Sequence, residues 1–514
     1  MRHVPFRSAA LCLTILLAGT PACSEDDTTP AGGAGGTALT GGSGGAAGTG
    51  GGTGGLGGAG GAGGTPATGL TREGRWLQYD GQYPFFVGYD YQSLAVRTDL
   101  DYTDALDHFE SYRINKVRLW IYPWFMGEDA LSPWAYAAGL HDLDEWNPAY
   151  WQRMHEFLDA AASRDIIVEL SLFAPNWANR QDRFENTTWR VAYNATFNEN
   201  GAFSPNAQGH FVPDFFDLDL AETSDSGQTL EDYQQALVDK AVSELASHRN
   251  VYFEICNEFP IVFNESQDAI HTLYPWQVQW SDRIHGATPR LVTAHSHQGS
   301  GAHTKGIEHF WDEPSVDVLN FHFYSGDPAE IAGLLHDAQA KSKVLQQNES
   351  FNHRTDLDST TRETWAMFTA GGYGFFYGGD SDIPVIGDAE WQRGAERLRA
   401  LRDIAESVPF WTMSPVDGQG DEYDGLVTQG PAGANWQVLA DPGSAYVVYL
   451  WGSKTTTPLH IDLPAGSYSF EWLDPRNGDS LGTGTVSGAD AAEIAAPPTA
   501  DWDADVGLVL VVRS

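Results

Sequence analysis

The chain has 514 residues and a formal net charge of −40, from 69 acidic against 29 basic side chains. Such a polyanion would repel nucleic acid and anionic lipid head groups, so neither is expected as a partner, and the acidity reads as a device for solubility. The length predicts two to three folded units with a large core. Only three cysteines occur, two of them within the first 23 residues. Cys256 stands alone in the body of the chain, which excludes a disulfide framework and a Cys-based zinc site and makes it an inert core thiol.

Arg2 and Arg7 precede an apolar stretch from Ala9 to Ala18, then Thr20-Pro21-Ala22-Cys23. This is the layout of an export signal, and the apolar run is too short to span a bilayer. Residues 1–23 are therefore expected to direct export, with two outcomes: a lipid anchor on Cys23 at the outer membrane, or simple cleavage and release to the periplasm or outside. Residues 24–69 follow, nearly all Gly, Ala, Thr and Ser between Ala31 and Gly64. A stretch with so little side chain to bury behaves as a flexible tether.

Short apolar runs then alternate with amphipathic segments. Strands are predicted at Pro84–Tyr89, Val117–Ile121, Ile166–Leu172, Val251–Cys256, Leu291–Ala294, Val316–Phe323, Val344–Gln347 and Tyr373–Tyr377. Helices are predicted at Thr103–Tyr112, Trp151–Ser163, Trp276–His285, Ala329–Ala340, Thr361–Thr369 and Glu390–Glu406. Thr229 and Asp232 form a capping box that opens a further helix. Eight strands, each followed by a helix or a long loop, fit an α/β fold of the (β/α)8 barrel type over residues 70–418. No Gly-rich nucleotide loop follows the first strand, which disfavours an open doubly wound sheet. Two long segments, Phe173–Gly227 and Asn257–Pro275, follow strands and would lie at the catalytic face.

From about Tyr423 the texture changes. Tyr446–Trp451, His460–Leu463, Tyr468–Leu473 and Val506–Val512 alternate as short strands between turns such as Leu463-Pro-Ala-Gly466. Residues 423–514 are predicted to be a small β-sandwich.

Asn257-Glu258 closes the predicted fourth strand, and Glu349 lies 91 residues further on. Three βα units of about 31 residues make roughly 93, so Glu349 should end the seventh strand. The fourth and seventh strand ends face one another across a barrel mouth. Carboxylates there can stand about 5 Å apart, which suits double displacement with retention of configuration. Glu258 would be the acid/base and Glu349 the nucleophile, their mutual repulsion keeping a proton on the acid. No cofactor and no metal is called for.

With that pair and its neighbours, residues 70–416 resemble glycoside hydrolase clan A, with cellulase-like and apiosidase-like features. The resemblance makes Glu258 the acid/base, Glu349 the nucleophile and Asn257 the residue that holds the sugar 2-hydroxyl. Ile114-Asn-Lys-Val-Arg-Leu119 is similar to the clan's second strand, which implies that Arg118 supports the nucleophile's charge. His322-Phe-Tyr324 resembles the clan's histidine-x-tyrosine pair, which implies a hydrogen bond from Tyr324 to Glu349. The aromatic floor on the eighth strand has two candidates, Tyr377 and Trp411. Trp311-Asp-Glu-Pro-Ser-Val-Asp-Val-Leu-Asn320 and Pro84-Phe-Phe-Val-Gly88 look most like the apiosidase-like group. Tyr446-Val-Val-Tyr-Leu-Trp451 and Phe470-Glu-Trp-Leu-Asp-Pro475 are similar to that group's C-terminal sandwich, named for collagen binding. Here it is expected to pack on the barrel or grip glycan.

Trp120, Trp124, Trp134, Trp177, Trp189 and Trp276 fall in or near strand-to-helix loops, and two or three of them, Trp177 first, are expected to stack on sugar. His295-Ser-His297, with His303 and His309 nearby, suggests a metal; without a carboxylate partner, His295 or His297 lining the sugar pocket is the preferred reading. The Asn-x-Ser/Thr triplets at Asn186, Asn194, Asn264 and Asn348 are read as coincidence. The leading expectation is thus a retaining O-glycosidase acting on a poly- or oligosaccharide. Its alternatives are a non-catalytic glycan-binding lipoprotein and a metal-dependent hydrolase.

Overall fold

A computed structural model describes residues 69–122, 130–137, 140–174, 215–216, 218, 224, 226–258, 267–295, 307–322, 328, 331, 335, 341–350, 353–418, 425–454, 457–497 and 503–514. The export segment, the tether and most of the Phe173–Gly227 loop lie outside these residues. Among them, no helix is long and apolar enough to cross a membrane.

A hairpin of β1 (Leu70–Glu73) and β2 (Trp76–Tyr79), absent from the sequence reading, precedes the barrel. The barrel proper runs β3 (Gly88–Asp90), α1 (Tyr102–Ser111), β4 (Lys116–Trp120), a hairpin of β5 (Trp134–Ala137) and β6 (Leu140–Trp146), α2 (Pro148–Ala162), β7 (Ile167–Phe173), α3 (Leu230–Leu245), β8 (Val251–Cys256), α4 (Gln267–Ala287), β9 (Val292–His295), β10 (Val318–His322), β11 (Val344–Glu349), α5 (Leu357–Thr369), β12 (Tyr373–Gly374), β13 (Phe376–Tyr377) and α6 (Ala389–Glu406). Apart from the antiparallel β5–β6 hairpin, which lies outside the ring, neighbouring strands are parallel throughout. β12 pairs with β11 and β13 pairs with β3, so the eighth strand, broken at Phe375, joins seventh to first and closes the ring. This is the expected (β/α)8 architecture.

The helices start where side chains can take up orphan backbone N–H groups. Thr229 Oγ1 accepts from Asp232 N at 3.2 Å while Asp232 Oδ2 accepts from Thr229 N at 2.8 Å, the predicted capping box. Asp101, Asn147, Asp356 and Asp388 cap α1, α2, α5 and α6. α4 starts well before the expected Trp276, with Pro275 inside it, so the loop after the fourth strand is shorter than the sequence suggested. Of the predicted helix Ala329–Ala340, Ile331 and Leu335 are described; both are helical and buried.

The C-terminal strands form two antiparallel sheets. β14 (Ser414–Gly418), β16 (Asn435–Asp441), β17 (Ala445–Trp451), β22 (Leu508–Arg513), β19 (Ser467–Leu473) and β20 (Ser480–Ser487) lie side by side in that order. β15 (Val427–Gln429), β18 (Leu459–Ile461) and β21 (Ala492–Ile494) make the second sheet. β14 lies within the sequence predicted as barrel yet pairs with β16, which moves the start of the sandwich sheet upstream of Tyr423.

Every residue of β17 is buried, because both of its faces are covered. Tyr446, Val448 and Leu450 point into the sandwich's own core. Ala445, Val447, Tyr449 and Trp451 belong instead to the core that continues into the barrel. Trp365 of α5 stacks on Tyr449 with centroids 6.1 Å apart, and Thr369 Oγ1 donates to Gln437 Oε1 at 2.9 Å. The sandwich therefore packs on the barrel, one of its two expected roles.

Candidate active site

The barrel strands alternate, so every second side chain enters the interior. An ordinary barrel fills that space with branched aliphatic residues. Here Lys116, Arg118, Glu169, Glu254, Asn320, Gln346 and Asn348 occupy it, all sealed from solvent. Gly88 on β3 has no room for a side chain: a Cβ there would lie 2.0 Å from Lys116 O.

Arg118 is the hub. Its Nε and Nη2 donate to Glu254 Oε2 at 2.9 and 2.7 Å, Nη1 to Asp90 Oδ2 at 3.1 Å, and Nη2 to Asn257 Oδ1 at 2.6 Å. Nη1 also reaches Glu349 Oε2 at 3.5 Å. Burial opposes its charge, but Glu254, Asp90, Glu169 and Glu349 together hold the guanidinium firmly protonated. Burial pushes Asp90 well above the usual carboxylate range in spite of Arg118. One layer below, Lys116 Nζ pairs with Glu169 Oε2 at 2.7 Å and sits 3.8 Å from the centre of the Phe375 ring.

At the mouth, Glu258 and Glu349 come together at the ends of the fourth and seventh strands, as the sequence register predicts. Their facing oxygens and His322 Nδ1 all lie within 4.8 Å of one another. Glu258 Oε1 is 2.9 Å from His322 Nδ1, and Glu349 Oε2 is 3.8 Å from the same nitrogen. Burial pulls His322 below its ordinary value, against the pull of Glu349. The two carboxylates thus meet different surroundings: Glu258 has the imidazole at hydrogen-bond distance, whereas Glu349 has it further off and the Arg118 guanidinium at 3.5 Å.

Two local backbone features aim them. Glu258 has φ of +34°, a left-handed value that costs a non-glycine residue energy and turns the chain sharply after β8. On β11, Phe321 faces Gln347 but His322 faces Glu349, so a bulge falls at Asn348. Strict alternation would send Glu349 to the outside, since Gln346 and Asn348 already point inward. The bulge resets the phase and turns Glu349 into the mouth.

Of the other expected site residues, Asn257 is buried with its Oδ1 on Arg118, which leaves its amide N–H groups as the donors it can offer. His295 is fully buried; its ring stands edge-on to His322 with centroids 4.2 Å apart, so it backs His322 rather than lining an open pocket. Tyr324, Trp177, Trp124, Trp189, His297 and His303 lie outside the described residues, and His309 packs on Tyr274. Trp120, Trp134 and Trp276 are buried, which removes them as sugar platforms. Trp411 stacks on Tyr83, which precedes β3, and so sits at the opposite end of the barrel; Tyr377, ending β13, is the remaining candidate for the aromatic floor. Asn348 has no exposed surface, so its triplet is no glycan acceptor. Sequence reasoning missed Glu254, Asn320 and Asn348. Their signal was polar residues at inward strand positions, which a (β/α)8 core does not ordinarily tolerate.

No protein-family model matches this sequence, and no curated protein matches it. The fold does match solved structures. A glycoside hydrolase family 5 protein from Bacteroides vulgatus ATCC 8482 superimposes with a TM-score of 0.58 at 15% identity, covering 87% of this chain and 93% of that one. A second structure, described as a glycoside hydrolase, gives 0.57 at 14% identity over 87% and 97% of the two chains. The barrel with its C-terminal sheets is thus an arrangement found among glycoside hydrolases, and at this identity the likeness speaks to fold.

Proposed function

We propose that the chain is a retaining O-glycoside hydrolase acting on a poly- or oligosaccharide, with Glu258 as acid/base and Glu349 as nucleophile. The observation that carries this reading is the pair of carboxylates meeting within 4.8 Å at the C-terminal mouth of the barrel. That separation matches the roughly 5 Å of retaining pairs rather than the roughly 6.5–9.5 Å of inverting ones, and so supports direct attack by one carboxylate. Glu349, its charge supported by Arg118, attacks the anomeric carbon. The bond to the leaving oxygen breaks with its electron pair, and Glu258 delivers a proton to that oxygen. Water then attacks the glycosyl-enzyme ester, giving its proton back to Glu258, and Glu349 is released with configuration retained. Asn257 would donate to a hydroxyl beside the anomeric carbon. Residues 1–23 would export the enzyme, with Cys23 as anchor where it is lipidated; mass spectrometry of the mature N-terminus tests that part.

The test is hydrolysis of a polysaccharide panel by the wild type, Glu258→Ala and Glu349→Ala, with the anomer of the first product followed by NMR. Retention, and loss of about 10²–10⁴-fold in the Glu258 variant, are expected. Inversion, or activity surviving Glu349→Gln unchanged, would overturn the mechanism. Activity lost on chelation and restored by a divalent cation would move the reading to metal-assisted hydrolysis.

A further inference from the structure

We propose that Asn348 is a positioning residue, which locks His322 in its Nε2–H tautomer and so keeps the acid proton on Glu258. The proposal rests on Glu258 being the proton donor.

Two buried carboxylate oxygens orient the Asn348 amide, and against burial Lys116 and Arg118 hold one of them, Glu169, below its ordinary value and ionised. Asn348 Nδ2 lies 3.0 Å from Glu254 Oε1 and 3.1 Å from Glu169 Oε1. Turning the amide over would set its oxygen against two carboxylate oxygens, so the orientation is fixed. Its Oδ1 then accepts from Asn320 Nδ2 at 2.7 Å and faces His322 Nε2 at 2.9 Å. Asn320 is fixed in turn, because its Oδ1 accepts the Asn348 backbone N–H at 3.1 Å. An amide oxygen only accepts, so Nε2 must carry the hydrogen.

A buried, neutral imidazole protonated at Nε2 shows a bare lone pair at Nδ1. That nitrogen is 2.9 Å from Glu258 Oε1. The contact is a hydrogen bond only when Glu258 supplies the proton. Burial favours the neutral ring; Glu349 at 3.8 Å and Glu254 pull towards the imidazolium, and Arg118 pushes against it. His295 meets the ring edge-on from β9. Once Glu258 has given its proton to the leaving oxygen, its carboxylate faces a lone pair, which drives it to regain a proton from the attacking water. The tautomer thus resets the acid after each cycle.

Two substitutions release the lock in different ways. Asn348→Ala frees the tautomer, so that Nδ1–H can donate to a Glu258 carboxylate. Asn348→Asp sets a carboxylate at Nε2 and favours the imidazolium. In both, the alkaline limb of kcat/KM should move down by about one pH unit or more. Turnover of substrates with poor leaving groups should fall by about tenfold or more. Dinitrophenyl glycosides, which need little proton donation, should lose less than about threefold. Equal losses on both substrates, with the limb unmoved, would make Asn348 merely structural and overturn the proposal. Since either variant can fail to fold, the wild type supplies its own test. Protein labelled with 15N-histidine, with His322 assigned by its loss in His322→Gln, should show a protonated Nε2 and a bare Nδ1 at neutral pH. The opposite tautomer, or an imidazolium, would overturn the lock. This reading needs no turnover, so an inactive wild type would sink the glycosidase proposal without being confused with failure of the tautomer.

Discussion

The inside of the barrel and the sheet that leans against it are both sealed from water, yet they are built from opposite materials. The barrel interior holds Lys116, Arg118, Glu169 and Glu254 in one hydrogen-bonded network. β17, with Tyr-Val-Val-Tyr-Leu-Trp as its core, holds nothing but apolar and aromatic side chains and covers a barrel face with half of them. Buried ion pairs add little stability over well-packed apolar groups of the same size. The charged interior therefore reads as support that aims Glu349, Asn257 and His322, whereas cohesion comes from the seam around Trp365 and Tyr449.

That contrast can be broken or sharpened. The largest effect should come from truncation after Gly418, which uncovers the apolar face of α5: no natively packed barrel is expected, as judged by soluble yield and near-UV circular dichroism. A barrel that folds alone would show that the seam is not the source of cohesion. Next, Lys116→Met or Glu169→Gln alone leaves a buried charge without its partner and should cost about 3–5 kcal/mol in denaturant unfolding. The double variant should recover to within about 1 kcal/mol of the wild type. Failure to recover would mean that the interior charges hold the fold together after all.

At the rim, burial keeps His141 of β6 neutral down to about 4, against an ordinary value of 6.5. Between those pH values the unfolded chain binds more protons than the folded one, so stability should fall as pH drops through that window. The contribution is at most about 3 kcal/mol, and His141→Phe should flatten the profile of unfolding against pH. The smallest effect is expected for Tyr449→Phe, which removes the hydroxyl that donates to Val506 O at 2.6 Å. It should cost about 1 kcal/mol and leave kcat untouched.

Much of this was legible in the one-dimensional pattern. The apolar run Val251–Cys256 matches β8 residue for residue, and counting βα units puts Glu349 at the end of the seventh strand, because apolar runs and unit length are local properties. The bulge at Asn348 was not legible. A strand written as Val-Leu-Gln-Gln-Asn-Glu carries no mark of where its phase slips, and only pairing with β10 reveals it. The hairpin β5–β6 and strand β14 escaped for a related reason: their partners, not their composition, make them strands. Pro275 misled directly, since proline inside a helix is a cost that packing of the long α4 absorbs.

The order of strands in the sandwich has a consequence for how the molecule comes into being. β22 lies between β17 and β19, yet it follows both in the chain. As the polypeptide emerges, whether from the ribosome or from an export channel, residues 445–473 appear before 508–513 arrive to join them. During that interval the two halves of the sheet lack their common neighbour, and the Trp365 side of the nascent barrel waits without its cover. The interval of exposure to clumping or proteolysis falls late in synthesis, after Glu258 and Glu349 have already been made.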